Sequence, residues 1–209
     1  EPVSHALHNV RHTLERIMEE SQCNEYVMVL SGKDNYRYTV DVTLPYKGNR
    51  DKLHKPVHYD AIREYIETRH PCIVTDALEG DDMLGIMQTP DTVICSIDKD
   101  LLMIEGMHYN INSGKAVHVE VADGWRSFYK QLITGDSTDN IPGIKGMGSV
   151  KAEKLLLNTP SMFWWELISD MYVKQYNDPW VIWEQAYLLW ILRDMSEITT
   201  PPKWDKFFQ

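Results

Sequence analysis

The chain has 209 residues, 43% of them hydrophobic and 25% charged, with a net charge of −10. That suits one substantial globular domain, and no apolar run approaches the ~20 residues of a membrane-spanning helix. Cys23, Cys72 and Cys95 lack CxxC spacing and cannot all pair, and the opening residues lack the basic and apolar regions of a signal peptide, so reduced thiols and a cytoplasmic location are expected. A charge of −10 is not the basic footprint of most nucleic-acid binders. Carboxylates gathered around bound cations would, however, invert the field locally.

In chain order, residues 3–20 place Val3, Ala6, Leu7, Val10, Leu14, Ile17 and Met18 close to a 3.6-residue period, predicting an amphipathic helix over one face of a sheet. The apolar run at residues 26–30 predicts a short buried parallel strand ended by Ser31-Gly32. The loop at 33–37, containing Arg37, then lies at the strand's carboxyl end, where α/β proteins place their chemistry. Residues 44–56 form a basic loop with Tyr46, Lys47, Arg50, Lys52 and Lys55 around Gly48. Such a loop is either a solvated connection or a phosphate-contacting one, and the aromatic beside closely spaced cations favours phosphate.

A helix at about 57–69 and a strand at 72–75 lead to Glu79-Gly80-Asp81-Asp82. Acids at the start of a helix are common through the dipole, but three so close together repel one another unless a cation lies between them. The strand at 92–97 runs directly into Asp98-Lys99-Asp100, which sets two carboxylates on its terminal turn. A hairpin with a Gly turn is predicted around 110–117. A helix that Asp123 could cap carries Trp125, Phe128, Tyr129, Leu132 and Ile133.

That helix delivers the chain to Gly135-Asp136-Ser137-Thr138-Asp139-Asn140-Ile141-Pro142-Gly143-Ile144-Lys145-Gly146-Met147-Gly148, followed by a helix with Lys151 in its first turn. Two carboxylates three residues apart open the stretch, and a glycine-punctuated turn suited to phosphate closes it. Beyond it, six tryptophans fall on two predicted helices (about 160–176 and 179–195) and the tail. Trp183, Ala186, Tyr187, Trp190 and Ile191 fall on one face of the second, which indicates core packing rather than a base-stacking platform, and residues 199–202 mark a loose tail. Acids at 79/81/82, 98/100 and 136/139 each adjoin a strand end or loop, so one sheet edge could gather them. Carboxylates without partnered His or Cys suit Mg²⁺ or Mn²⁺, two ions of which would support phosphodiester hydrolysis. The chain has no P-loop sequence, and no nucleotide cofactor is expected.

Four motifs, in order, resemble the 5′-nuclease family of flap endonucleases and 5′→3′ exonucleases, particularly its phage-type members. They are Tyr46-Lys47-Gly48-Asn49-Arg50, Glu79-Gly80-Asp81-Asp82, Ser96-Ile97-Asp98-Lys99-Asp100, and the run from Gly135-Asp136 to Gly148. The resemblance implies an α/β, PIN-like fold: a mostly parallel sheet flanked by helices, a helix–three-turn–helix, and a helical C-terminal region. The implied division is a core at 1–134 and the remainder at 135–209. It assigns Glu79, Asp81 and Asp82 to one metal region, and Asp98, Asp100, Asp136 and Asp139 mainly to a second. Lys47 and Arg50 match the family's basic pair at the scissile phosphate. Arg37, Tyr46, Lys47, Arg50, Gly146, Gly148 and Lys151 are the expected DNA contacts. Similar members bind a potassium ion in the three-turn loop. The implied partner is DNA with 5′ ends, flaps or junctions, handled by a monomer.

The chain departs from the family in three places. Members begin with a strand carrying an Asp ligand, so a strand and connection of roughly 20–30 residues is expected before Glu1. Where another Asp is usual, Ser31-Gly32 stand, with Asp34 following two residues on. The segment from Arg50 to Glu79 is short for a helical arch, which implies an open groove for 5′ ends. A non-catalytic junction-binding module is the alternative reading, supported by the first two departures, and a related PIN-type ribonuclease is a third.

Overall fold

The computed structural model describes residues 2–40, 43–49 and 54–204. Arg50 and Lys52 lie outside the described residues. Helix α1 spans Val3–Ser21, strand β1 Met28–Leu30, helix α2 Tyr59–Arg69, strand β2 Cys72–Val74 and helix α3 Gly80–Met87. Strands β3 (Val93–Ser96), β4 (Gly106–Asn110) and β5 (Lys115–Val119) follow, then helices α4 (Val121–Thr134), α5 (Ser149–Leu157), α6 (Trp164–Tyr176) and α7 (Val181–Leu189).

The fold is α/β, but one mostly parallel sheet is not what forms. Among the described residues, β1 pairs with β2 in a parallel two-stranded sheet, and β3 pairs parallel with β4, which pairs antiparallel with β5. The strands are only three to five residues long, so few ladder bonds are available to join the two sheets. The β4–β5 hairpin turns through residues 111–114 as its Gly signal requires, with Gly114 at φ +64°.

Helix α1 was expected to cover a sheet face, but it has no buried residue. Val10, Leu14 and Ile17 instead line an open groove with Met28 and Ile62. The core lies in the helical half. Trp125, Phe128, Tyr129, Leu132 and Ile133 form the buried stripe of α4, and α5, α6 and α7 close over it. Trp190 is buried there, as its helix face predicts; Trp164 is buried too, and so is Trp204 in the tail expected to be loose, whereas Trp180 is 72% exposed. One cluster runs from Tyr46 to Trp204 and so spans residues on both sides of position 134.

Helix α7 ends at Leu189, earlier than the apolar pattern indicates, and Trp190 is already extended. Its start is also later than expected. The Asp178 carboxylate accepts the Trp180 N–H at 2.8 Å, forming a turn before the helix rather than capping it at Pro179.

Candidate metal centre and nucleic-acid interface

Three acidic segments converge. Glu79 is the N-cap of α3, and its side chain and that of Asp82 close a reciprocal capping box over the first turn. That geometry places Asp81 in the same turn. Asp98 and Asp100 follow β3, and Asp98 Oδ1 accepts the Asp100 N–H at 2.9 Å. Asp136 and Asp139 stand on a loop closed by reciprocal backbone bonds between Asp136 and Ile141, each 2.8 Å. Its second closure joins Gly135 and Gly143. Both have positive φ, and a Cβ on Gly143 would stand 2.3 Å from the Gly135 nitrogen.

Glu79, Asp81, Asp100, Asp136 and Asp139 line one cleft, together with Tyr46, Gln131 and apolar residues of the α7 end. Asp98 is exposed at its margin. Burial, then Asp98 and Glu79, pushes the Asp81 carboxyl up to about 7. Burial, then Asp98 and Asp136, pushes Asp100 up to about 6. Crowded carboxylates that resist ionising are the electrostatic signature of a cation site. Gln131 was not singled out from the sequence, yet it hydrogen-bonds Asp100 from α4. Its polarity on an inward-facing position of an apolar helix was the available signal.

Residues 45–49 of the basic loop are stitched to the third acidic segment. Lys47 N–H donates to the Asp139 carbonyl (2.9 Å), Asn140 Nδ2 to Pro45 O (2.9 Å), and Asn49 Nδ2 to Ser137 O (2.6 Å). Lys47 has a left-handed backbone (φ +55°). Its ammonium pairs with Glu79 and stands 3.8 Å from Asp139. The Tyr46 hydroxyl lies 3.2 Å from Glu79 and 3.0 Å from Asp139. Burial, and then the Glu79 charge, hold that phenol above its ordinary pKa, so it remains a donor.

Three expectations need correction or refinement. Arg37 was assigned to DNA, but it is 2% exposed and binds Asp82 through both terminal nitrogens, at 2.6 and 2.8 Å. Asp82 was assigned to metal, but it is fully buried and its oxygens are taken by Arg37 and by backbone N–H groups of Glu79 and Leu192. Tyr46 was assigned to DNA, but it is 6% exposed and engaged with the two carboxylates. Lys47 and Tyr46 sit between Glu79 and Asp139 while Asp82 faces Arg37. Accordingly, among the described residues no three His, Cys, Asp or Glu side chains are gathered closely enough to hold an ion. Asp34 is exposed and outside the cleft lining, and the Ser31 hydroxyl accepts the Gly80 N–H at 2.9 Å, anchoring the start of α3.

At the other end of the 135–148 loop, Gly146 and Gly148 are exposed, and a Cβ at either would meet nothing within 4 Å. Lys151, exposed in the first turn of α5, donates to the Gly146 carbonyl at 2.8 Å. An open backbone beside a helix N-terminus and a lysine is accessible to a phosphate.

No protein-family model matches the chain. It is 32% identical over 146 residues to the exonuclease of Escherichia phage T7, covering 64% of this chain and 47% of that protein. It is 34% identical over 134 residues to the exodeoxyribonuclease of Enterobacteria phage T3, covering 58% of this chain and 44% of that protein. The chain thus spans about half the length of the phage relatives it matches. A DNA polymerase I of Rhizobium leguminosarum is 32% identical over 129 residues, 53% of this chain and 13% of the polymerase. Among solved structures, zinc-bound phage T5 5′-exonuclease aligns with a TM-score of 0.65 at 16% identity, over 88% of this chain and 80% of that one. A phage T5 flap endonuclease complex with DNA and metal ions aligns with a TM-score of 0.59 at 17% identity, over 87% and 82%. The T5 matches establish the shared fold, and by sequence the chain is similar to phage exonucleases and to a DNA polymerase I, in keeping with the family its four ordered motifs resemble.

Proposed function

We propose that the chain is a divalent-metal-dependent 5′ nuclease that hydrolyses DNA phosphodiesters near 5′ ends, flaps or junctions. The observation that carries this reading is the convergence of five carboxylates from three separated segments on one cleft. The donor set fits Mg²⁺ or Mn²⁺: it is all carboxylate oxygen, and its crowding raises Asp81 and Asp100 in a way a cation would relieve. Glu79, Asp81, Asp98, Asp100, Asp136 and Asp139 are the residues that would hold two ions. Asp82 is left out because Arg37 saturates it. When bound, such ions supply charge stabilisation for the attacking and leaving oxygens of an in-line displacement.

The chain's own residues do the rest. Lys47, paired with Glu79 while the carboxylates are uncompensated, is the cation that turns to the scissile phosphate once they are neutralised. Arg50 is proposed beside it from the motif alone. Gly146 and Gly148, with Lys151, hold the uncut duplex through its phosphates, which favours structure over base sequence. A potassium ion in that loop is proposed only by resemblance, since Lys151 already donates to the Gly146 carbonyl.

Cleavage of a 5′-flap DNA in Mg²⁺, compared with EDTA, tests the reading. Metal-dependent release of the flap is expected. Junction binding with no cleavage in either condition would support the non-catalytic module instead.

A further inference from the structure

We propose that Arg37 is a positioning residue for the metal-holding turn, passing the placement of the C-terminal helical region to Glu79 and Asp81 through Asp82. The proposal rests on the metal-dependent reading above. The Arg37 guanidinium reads two partners at once. Nε donates to the Leu188 carbonyl at 2.9 Å, and one terminal nitrogen donates to the Trp190 carbonyl at 2.5 Å. These carbonyls lie at the end of α7, where the helix leaves its own acceptors unpaired and favours a cation. That nitrogen and the other terminal one also bind the two Asp82 oxygens, one each. Asp82 then accepts the Leu192 N–H on one oxygen and the Glu79 N–H on the other, each at 3.1 Å.

Besides its contacts with Lys47 and Tyr46 and a longer 4.0 Å approach of the Arg37 guanidinium to its carboxylate, Glu79 is held by this network at two points. Asp82 fixes its backbone, and Asn35 Nδ2 donates to its carboxylate at 2.6 Å. Asn35 is itself fixed by the Arg37 backbone N–H, 3.0 Å from its Oδ1. Asp81 stands between the two pinned residues, so its direction into the cleft follows from theirs. Stability alone does not explain a buried charge pair here, because apolar residues of similar volume often serve a core as well or better. A planar fork that fixes a carboxylate and a helix end together provides orientation, which an apolar pair does not.

The test is Mn²⁺ titration of the full chain by calorimetry, at a temperature where parent and variants are folded by circular dichroism. The double variant Arg37→Met/Asp82→Leu replaces the charge pair by apolar volume. It is expected to bind Mn²⁺ more weakly by on the order of 10–100-fold, the usual cost of losing a group that orients a ligand. Parent-like binding by the folded double variant overturns the proposal alone. Absence of Mn²⁺ binding by the parent overturns the metal reading and this proposal with it. The single variant Arg37→Met discriminates by sign: positioning predicts weaker binding, whereas equal or tighter binding would make the released Asp82 a direct ligand and overturn the proposal. If the double variant does not fold, Asn35→Ala removes the link to the Glu79 carboxylate together with the bond its Oδ1 accepts from the Arg37 N–H, leaving the Arg37–Asp82 pair in place. A loss of about tenfold in Mn²⁺ affinity then supports the proposal, and unchanged affinity overturns it.

Discussion

Lys47 is tied to Asp139 twice: its backbone N–H donates to the Asp139 carbonyl at 2.9 Å, and its ammonium stands 3.8 Å from the Asp139 carboxylate. Residues 45–49 of the basic loop and the third acidic segment are therefore linked as one body. The same ammonium pairs with Glu79 at the first turn of α3, which joins that body to the first acidic segment. One lysine side chain thus reaches carboxylates of both segments.

Replacing Lys47 by Met should have opposite effects on binding and turnover. Without its ammonium, Glu79 and Asp139 lose an internal counter-ion, so Mn²⁺ affinity should rise in calorimetry. Cleavage should fall by roughly 10²–10³-fold, the scale of losing one donor to developing charge. A parallel loss of Mn²⁺ affinity and cleavage would contradict this division of roles.

The acidic cleft also predicts a pH dependence of stability. Asp81 and Asp100 titrate at about 7 and about 6 in the fold, above the 3.8 of an unperturbed Asp. Between about pH 4 and 7 the folded chain therefore holds protons that the unfolded chain has lost, so these groups' contribution falls as pH rises. Without divalent metal, the melting temperature should drop between pH 5.5 and 8, with each kcal/mol appearing as about 2–4 °C in a domain of this size. Added Mg²⁺ should raise the melting temperature more at pH 8 than at pH 5.5. Equal Mg²⁺ effects at both values would sink the assignment of these two carboxyls.

The glycines of the 135–148 loop should separate fold from grip. Gly143→Ala forces a positive φ and a 2.3 Å approach to the Gly135 nitrogen, and should cost about 2–3 kcal/mol in denaturant unfolding. Gly148 has an ordinary φ of −81° and open space, so Gly148→Ala should change stability by only about 0.5–1 kcal/mol. The same change should weaken junction-DNA binding by about fivefold, equivalent to about 1 kcal/mol. Unchanged binding by Gly148→Ala would remove this backbone from the DNA interface.

Much of this arrangement is legible in the residue order. The Asp136/Asp139 loop and α5 are marked by glycine punctuation, the β4–β5 turn by Gly114, and buried Trp190 by apolar periodicity. What the sequence conceals depends on distant partners. A short polar segment containing Arg37 reads as an exposed loop, and only its pairing with Asp82 and the end of α7 explains its burial. Tyr46 among lysines and arginine reads as part of a phosphate-contacting loop, while two carboxylates from other segments draw its hydroxyl inward. The early end of α7 has a related cause, since Arg37 supplies donors to its last carbonyls from outside the helix. Division of the strands into two sheets is likewise a matter of pairing, which apolar runs of this length do not specify.

Asp136 and Asp139 carry the central claim, because they join the acidic cleft to the loop that presents Gly146 and Gly148. The most direct measurement is single-turnover cleavage of a 5′-flap DNA in Mg²⁺ by the double variant Asp136→Asn/Asp139→Asn, with junction affinity measured in parallel. Loss of cleavage with junction affinity retained is the predicted result, and cleavage at the parent rate would contradict the account.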